Sequence, residues 1–191
     1  MAKLPMSSQH EGQMFGYNPI SDEIIPLYSC FDGSLSTLDI AHKQIHAGSF
    51  YTVAKVFTAV PTDSYVSIRL KPTTKMVHFE IYTTAEGKAY LKTYSGSTYS
   101  NNGTLYTPFN RNALSSNIAT CEAYIEPTVN VLGALRGDDL LGSAGGTSRA
   151  GGQSGDRTES VIGVGNDILI RVQNKANSSR DIGIIINFYE V

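Results

Sequence analysis

Four histidines and two cysteines are the residues of this 191-residue chain best suited to chemistry: His10, His42, His46, His78, Cys30 and Cys121. His42 and His46 stand four apart. On a helix that spacing puts both imidazoles on one face, as in zinc hydrolases, yet Lys43 occupies the place where a general-base glutamate should follow. On a strand the two would lie about 13 Å apart, too far to share an ion. His78 and Glu80 share a strand face, a fragment of the cupin metal pattern, but Phe79 replaces the second histidine and no histidine follows. No metal or other cofactor is expected.

Nucleophilic and phosphate chemistry fare no better. Neither cysteine has a basic neighbour, and no G-x-S-x-G elbow occurs. Gly163-Val164-Gly165 lacks a P-loop lysine. The cysteines, 91 positions apart, make no disulfide framework; they read as reduced, packed thiols, with pairing left open. Arg136-Gly137-Asp138 matches an integrin-type tripeptide and is read as a polar turn. No catalytic residue is assigned, and no enzyme is expected.

The elements that must carry these residues follow from composition and period. Lys+Arg number 15 against 17 Asp+Glu, a net charge of −2, which argues against gripping nucleic acid or an anionic membrane. Only 17% of residues are charged, against a usual ~25%; Gly, Ser, Thr and Asn take up the difference, as in an all-β protein with many loops. No run approaches a membrane span, and the start lacks the apolar core of a signal peptide, so a soluble protein made in a cytoplasm is expected.

Residues 1–36 show no sustained period, are interrupted by Pro5, Pro19 and Pro26, and yet carry Met14, Phe15, Tyr17, Ile20, Ile24 and Ile25. Such an arm is expected to lie extended on a surface, its own or a partner's. From residue 37 a β-sandwich domain is expected, jelly-roll-like, with barrel closure as the alternative. Eight or nine strands are read at Ser49–Ala59, Tyr65–Lys71, Met76–Thr84, Lys88–Ser95, Ile118–Ile125, Ser160–Val164, Asp167–Val172 and Asp181–Glu190, with Leu38–His46 read as strand rather than short helix. Residues 136–157, with six glycines in fourteen positions from Gly142 to Gly155, are expected to form a long exposed loop or a subunit-contact tongue rather than a strand. Asn110, Arg111 and Asn112 read as a hydrogen-bonded turn, or as a structural node at a subunit contact.

The order of features resembles a family of small virion proteins of tailed bacteriophages, the head decoration or cement proteins. The resemblance covers residues 36–191: His-Lys-x-Ile-His-x-Gly from His42 to Gly48, Asn-Gly-Thr and Thr-Pro-Phe-Asn-Arg-Asn between Asn102 and Asn112, a glycine-rich loop, Asn-Asp-Ile-Leu-Ile-Arg-Val, and a terminal Asn-Phe-Tyr-Glu. It implies a non-enzymatic viral protein, a jelly-roll homotrimer seated on the capsid exterior with the major capsid protein as partner. Within it the arm residues become the capsid contact. The alternative is a tail-associated receptor- or carbohydrate-binding sandwich in which Tyr65, Tyr82, Tyr90, Tyr94, Tyr99 and Tyr106 stack on a host glycan, against packing within the sheets. Apolar residues on both faces of two strands (Val53 and Phe57 opposite Val56; Ile184 and Ile186 opposite Ile185) point independently to burial between subunits.

Overall fold

The computed structural model describes residues 15–18, 23–26, 40–142, 150–152 and 159–191. In chain order the elements are β1 (Phe15–Asn18), β2 (Glu23–Pro26), α1 (Ile40–Ala47), β3 (Phe50–Val60), β4 (Tyr65–Lys71), β5 (Val77–Ala85), β6 (Ala89–Ser95), β7 (Thr98–Asn101) and β8 (Thr104–Tyr106). They continue with β9 (Phe109–Asn110), β10 (Glu122–Ile125), β11 (Thr128–Val131), β12 (Ala134–Leu141), β13 (Ala150–Gly152), β14 (Ser160–Ile162), β15 (Ile168–Asn174) and β16 (Arg180–Glu190). The chain divides into two units, Met1–Ile40 and Ala41–Val191. In the first, β1 and β2 pair antiparallel from Phe15↔Pro26 to Asn18↔Glu23, so part of the expected irregular arm is a hairpin.

The second unit is an all-β sandwich. One sheet runs β13-β5-β16-β3-β9, with β14 also on the free edge of β5; the other runs β12-β6-β15-β4-β10-β8. Removing the short additions leaves β3-β16-β5-β14 facing β4-β15-β6-β12, all paired antiparallel. Chain order through those eight strands is that of a jelly roll of two Greek keys. Residues 96–133 are an excursion between its fourth and fifth strands. It places β9 beside β3 and adds β10 and β8 beside β4, so it lengthens both sheets on the same side. At its return Gly133 passes so close to the end of β6 that a Cβ there would sit 1.9 Å from the Ser95 carbonyl oxygen.

Period-two patterning explains the core. In β4, Val66, Ile68 and Leu70 are buried, while Tyr65, Arg69 and Lys71 lie on the other face. Their register partners Val172, Ile170 and Ile168 are buried with them. From the facing sheet Val53, Phe79, Ile182, Ile184, Ile186 and Phe188 complete one cluster. Burying a side chain of this size contributes roughly 1.5–3 kcal/mol. On the outer side of β3 and β16, Val56 remains 62% and Ile185 41% exposed.

Three sequence expectations are corrected. The stretch read as strand at Leu38–His46 is helical in its described part: residues 38–39 lie outside the described residues, and Ile40–Ala47 is an α-helix. Gly48, at φ +69°, terminates it, its N–H bonding the Ile45 carbonyl (3.0 Å) while the Ser49 N–H bonds that of Gln44 (3.0 Å). This is a Schellman stop, which only glycine enters without strain. Residues 136–157 are not loop throughout. Ala134–Leu141 pairs along β6 and residues 150–152 pair with Thr83, Thr84 and Ala85. Backbone ladders require no side chain, so a waiting strand edge overrides the low β propensity of glycine. Residues 143–149 and 153–158 lie outside the described residues. Arg136-Gly137-Asp138 consequently sits in strand rather than turn, its Arg136 Nε donating to Ser95 Oγ (2.7 Å) and Asp138 pairing with Lys92 (3.2 Å). No helix among the described residues is long and apolar enough to cross a membrane.

Candidate functional site

The richest polar construction is the junction between the end of α1, the start of β3 and residues 109–117. Asn110, at the end of β9, donates from Nδ2 to the carbonyls of Gly48 (2.9 Å) and Asn117 (3.1 Å), and its Oδ1 accepts from the Asn112 N–H (2.9 Å). Asn112 Nδ2 donates to the His46 carbonyl (3.2 Å), while its Oδ1 accepts from the Leu114 N–H (3.0 Å). The Arg111 N–H bonds the Phe50 carbonyl (2.9 Å), and its guanidinium lies 5.8 Å from the Phe50 ring centre. Asn117 Nδ2 reaches the carbonyls of Ala47 (3.4 Å) and Gly48 (3.2 Å). Thus Asn110, Arg111 and Asn112 do meet at one node, and its task is to satisfy the carbonyls that a helix end leaves unpaired. The sequence reading missed Asn117 and Ser115; a Cβ at Gly48 would come 2.2 Å from Ser115 Oγ, a closeness no spacing rule reveals.

This node borders an apolar edge. Leu105 (63%), Phe109 (49%), Leu114 (98%) and Ile118 (77%) are exposed within fourteen positions. The same stretch supplies β8 and β9, the last strand on one side of each sheet. Strand edges with open ladder groups and large exposed side chains favour protein contact.

The tyrosines divide by position. Register places Tyr124, Arg69, Leu169 and Tyr94 in one cross-strand row on the outer face of β10, β4, β15 and β6, and Tyr65, Gln173 and Tyr90 in another. Arg171 lies 4.0 Å from the Tyr65 ring centre and Arg69 4.0 Å from that of Tyr99. Tyr82 belongs to the other sheet, bonding Glu80 (2.6 Å), and the Tyr106 hydroxyl donates to the Ala54 carbonyl (3.0 Å) while its ring packs on the core. Arg69 Nε also pairs with Asp167 Oδ2 (2.8 Å), both nearly buried, and its Nη1 donates to Asn102 Oδ1 (2.8 Å). Burial pushes the Tyr99 phenol up to about 12. Arg69, which also lies 5.7 Å from the Tyr124 ring centre and is oriented by Asp167, ties β7 to the sheet through Tyr99.

The titratable groups are mostly committed. His78 Nδ1 meets Glu159 Oε1 (2.7 Å), which also accepts from the Tyr189 hydroxyl. The Glu190 carboxylate accepts from the N–H groups of Thr120 (2.6 Å) and Cys121 (2.7 Å). Cys121 is a free, buried thiol, pushed up to about 12 first by burial and then by the Glu190 charge. Cys30 lies outside the described residues. A cleft of about 570 Å³ between β5 and β6 has an apolar floor of Phe79, Ile81, Ile162 and Ile168, but the charges on its rim, Arg136 and Asp167, are already bonded to Ser95 and Arg69. No group of three or more metal-binding side chains occurs among the described residues. His42 and His46, however, share a helix face rather than a strand, and their Nε2 atoms stand 2.9 Å apart. Of the arm residues, Phe15 and Tyr17 lie in β1 and Ile24 and Ile25 in β2, whereas Met14 and Ile20 are outside the described residues. Comparison with known proteins found no match, whether to a family model, to a curated protein or to a solved structure.

Proposed function

We propose that the chain is a non-enzymatic virion structural protein, a decoration or cement protein that binds the outside of a tailed-phage capsid as a homotrimer. The observation that carries this reading is the apolar edge at Leu105, Phe109, Leu114 and Ile118, held in place by the Asn110–Asn112 node. A side this apolar, bounded by two open strand edges, suits a protein surface better than water. Val56 and Ile185, exposed on the outer face of the other sheet, supply a second contact for a neighbouring subunit. The balanced net charge suits a protein partner rather than nucleic acid. The arm residues Met14, Phe15, Tyr17, Ile20, Ile24 and Ile25 are assigned to the capsid grip, with the major capsid protein as partner.

Co-sedimentation with heads of the virus that encodes the chain tests the proposal. The wild type should bind expanded heads saturably, and light scattering should give a mass near three times 20.6 kDa. Leu114→Glu with Ile118→Glu should weaken binding at least about tenfold, with thermal stability retained, since both side chains are exposed. Deleting residues 1–30, which removes the β1–β2 hairpin, should weaken it too, while the sandwich domain keeps its cooperative melting transition. Wild-type protein that stays in the supernatant refutes the reading.

One observation favours a second reading, host-glycan binding: Tyr65, Tyr90 and Tyr94 share a sheet face with Arg171, Lys92 and Gln173. Rings beside hydrogen-bonding groups are the chemistry that stacks sugars. Saturation-transfer NMR with host surface glycan, lost in Tyr90→Ala, supports that reading; no transfer to any glycan removes it.

A further inference from the structure

The helical stop at Gly48 changes what the two nearest histidines can do. Because residues 40–47 are α-helix, His42 and His46 point from the same exposed face, with ring centres 4.6 Å apart, planes at 63° and Nε2 atoms 2.9 Å from each other. Imidazole nitrogens bind transition metals at about 2.0–2.1 Å. Two such nitrogens at right angles about one ion lie about 2.9 Å apart, whereas a tetrahedral ion needs about 3.3 Å. At 2.9 Å the two imidazoles are within hydrogen-bond distance, and the same separation equals that of a cis pair in square-planar or octahedral coordination, the geometry of Cu2+ and Ni2+, so an ion replacing the shared proton needs little movement of either ring.

We propose that His42 and His46 are a two-nitrogen chelate for a divalent transition-metal ion, Cu2+ ahead of Ni2+ and Zn2+. Water fills the remaining positions. An eight-residue helix alone would fray and scatter the rings. Here its last turn is clamped: the His46 carbonyl accepts from Asn112, that of Ala47 from Asn117, and that of Gly48 from Asn110. The chelate is thus held in its binding geometry by segments more than sixty positions away, which lowers the ordering cost of capturing an ion. Lys43, between the two histidines in sequence, is also exposed, and its long stem leaves the ammonium free to turn away from a bound cation. The site is independent of the capsid proposal.

Isothermal titration of the full chain with CuCl2 at pH 7.5, in a weakly coordinating buffer, tests it. One ion per chain should bind with micromolar affinity, and the electron-paramagnetic spectrum should carry hyperfine structure from two imidazole nitrogens. His46→Ala should weaken binding at least about tenfold, because the second ligand no longer acts intramolecularly. A His10→Ala/His78→Ala variant should bind as the wild type does, which separates this site from the other two histidines. Far-UV spectra and melting curves confirm that each variant is folded. Equal Cu2+ affinity in the wild type and His46→Ala, or loss of binding in His10→Ala/His78→Ala, overturns the proposal.

Discussion

Replacing Asn110 by alanine and by aspartate should separate a hydrogen-bonded node from a mere turn. Alanine removes two donated bonds, to the Gly48 and Asn117 carbonyls, and one accepted from the Asn112 N–H. A typical intramolecular bond contributes about 0.5–1.5 kcal/mol net, and water can reach part of this half-buried site, so about 2–3 kcal/mol should be lost. For a domain of this size that lowers Tm by about 4–12 °C. Aspartate has nearly the same shape and keeps the oxygen that accepts from Asn112. It replaces the amide NH2 with a carboxylate oxygen facing two carbonyls, so it should destabilise more than alanine does. Calorimetry at pH 7 on both variants gives the order directly, and limited proteolysis within residues 111–121 should quicken in the same order. An Asn110→Asp protein as stable as the wild type, or more stable than Asn110→Ala, would refute the reasoning, since the two donated bonds could not then be holding the helix end.

Three further outcomes are expected. Asp167→Asn leaves the Arg69 guanidinium nearly buried with Asn102 and two rings, and should cost about 2–4 kcal/mol in urea unfolding, much of it recovered by Arg69→Met/Asp167→Leu; an unchanged midpoint would mean the pair does not secure β7. Cys121, raised to about 12 by burial, should react with a disulfide reagent at pH 8 only as fast as the protein unfolds, measured in a Cys30→Ser background; a burst of one thiol would show it accessible. The Tyr124 hydroxyl (2.9 Å), with Lys71 (3.2 Å) behind it, holds the Glu122 carboxyl below its ordinary range. A carboxyl lowered on folding stabilises above its unfolded pKa and loses that contribution as pH falls through the folded value. The small advantage of the wild type over Glu122→Gln at pH 6 should therefore fade below about pH 4, and an advantage that grew on acidification would contradict the sign.

What the sequence determined by itself was local. Alternation in Tyr65–Lys71 and in the Ile182–Ile186 run marked strands to within a residue or two, because a strand's inside and outside are set by successive side chains. Composition and these periods were enough for an all-β sandwich. Tertiary structure decided wherever the partner lay far along the chain. The helix at 40–47 depends on a glycine stop that was visible and on asparagine donors 62 to 70 positions away that were not, so the histidine spacing acquired its geometry only in three dimensions. Ala134–Leu141 became a strand because β6 offered it a free edge, a backbone attraction that leaves no mark on side-chain pattern. Arg69 found Asp167 across 98 residues, and β3 found β16 at the opposite end of the domain. Non-local pairings of this kind carry the jelly-roll order, and loop closure rather than local preference is the free energy they must overcome.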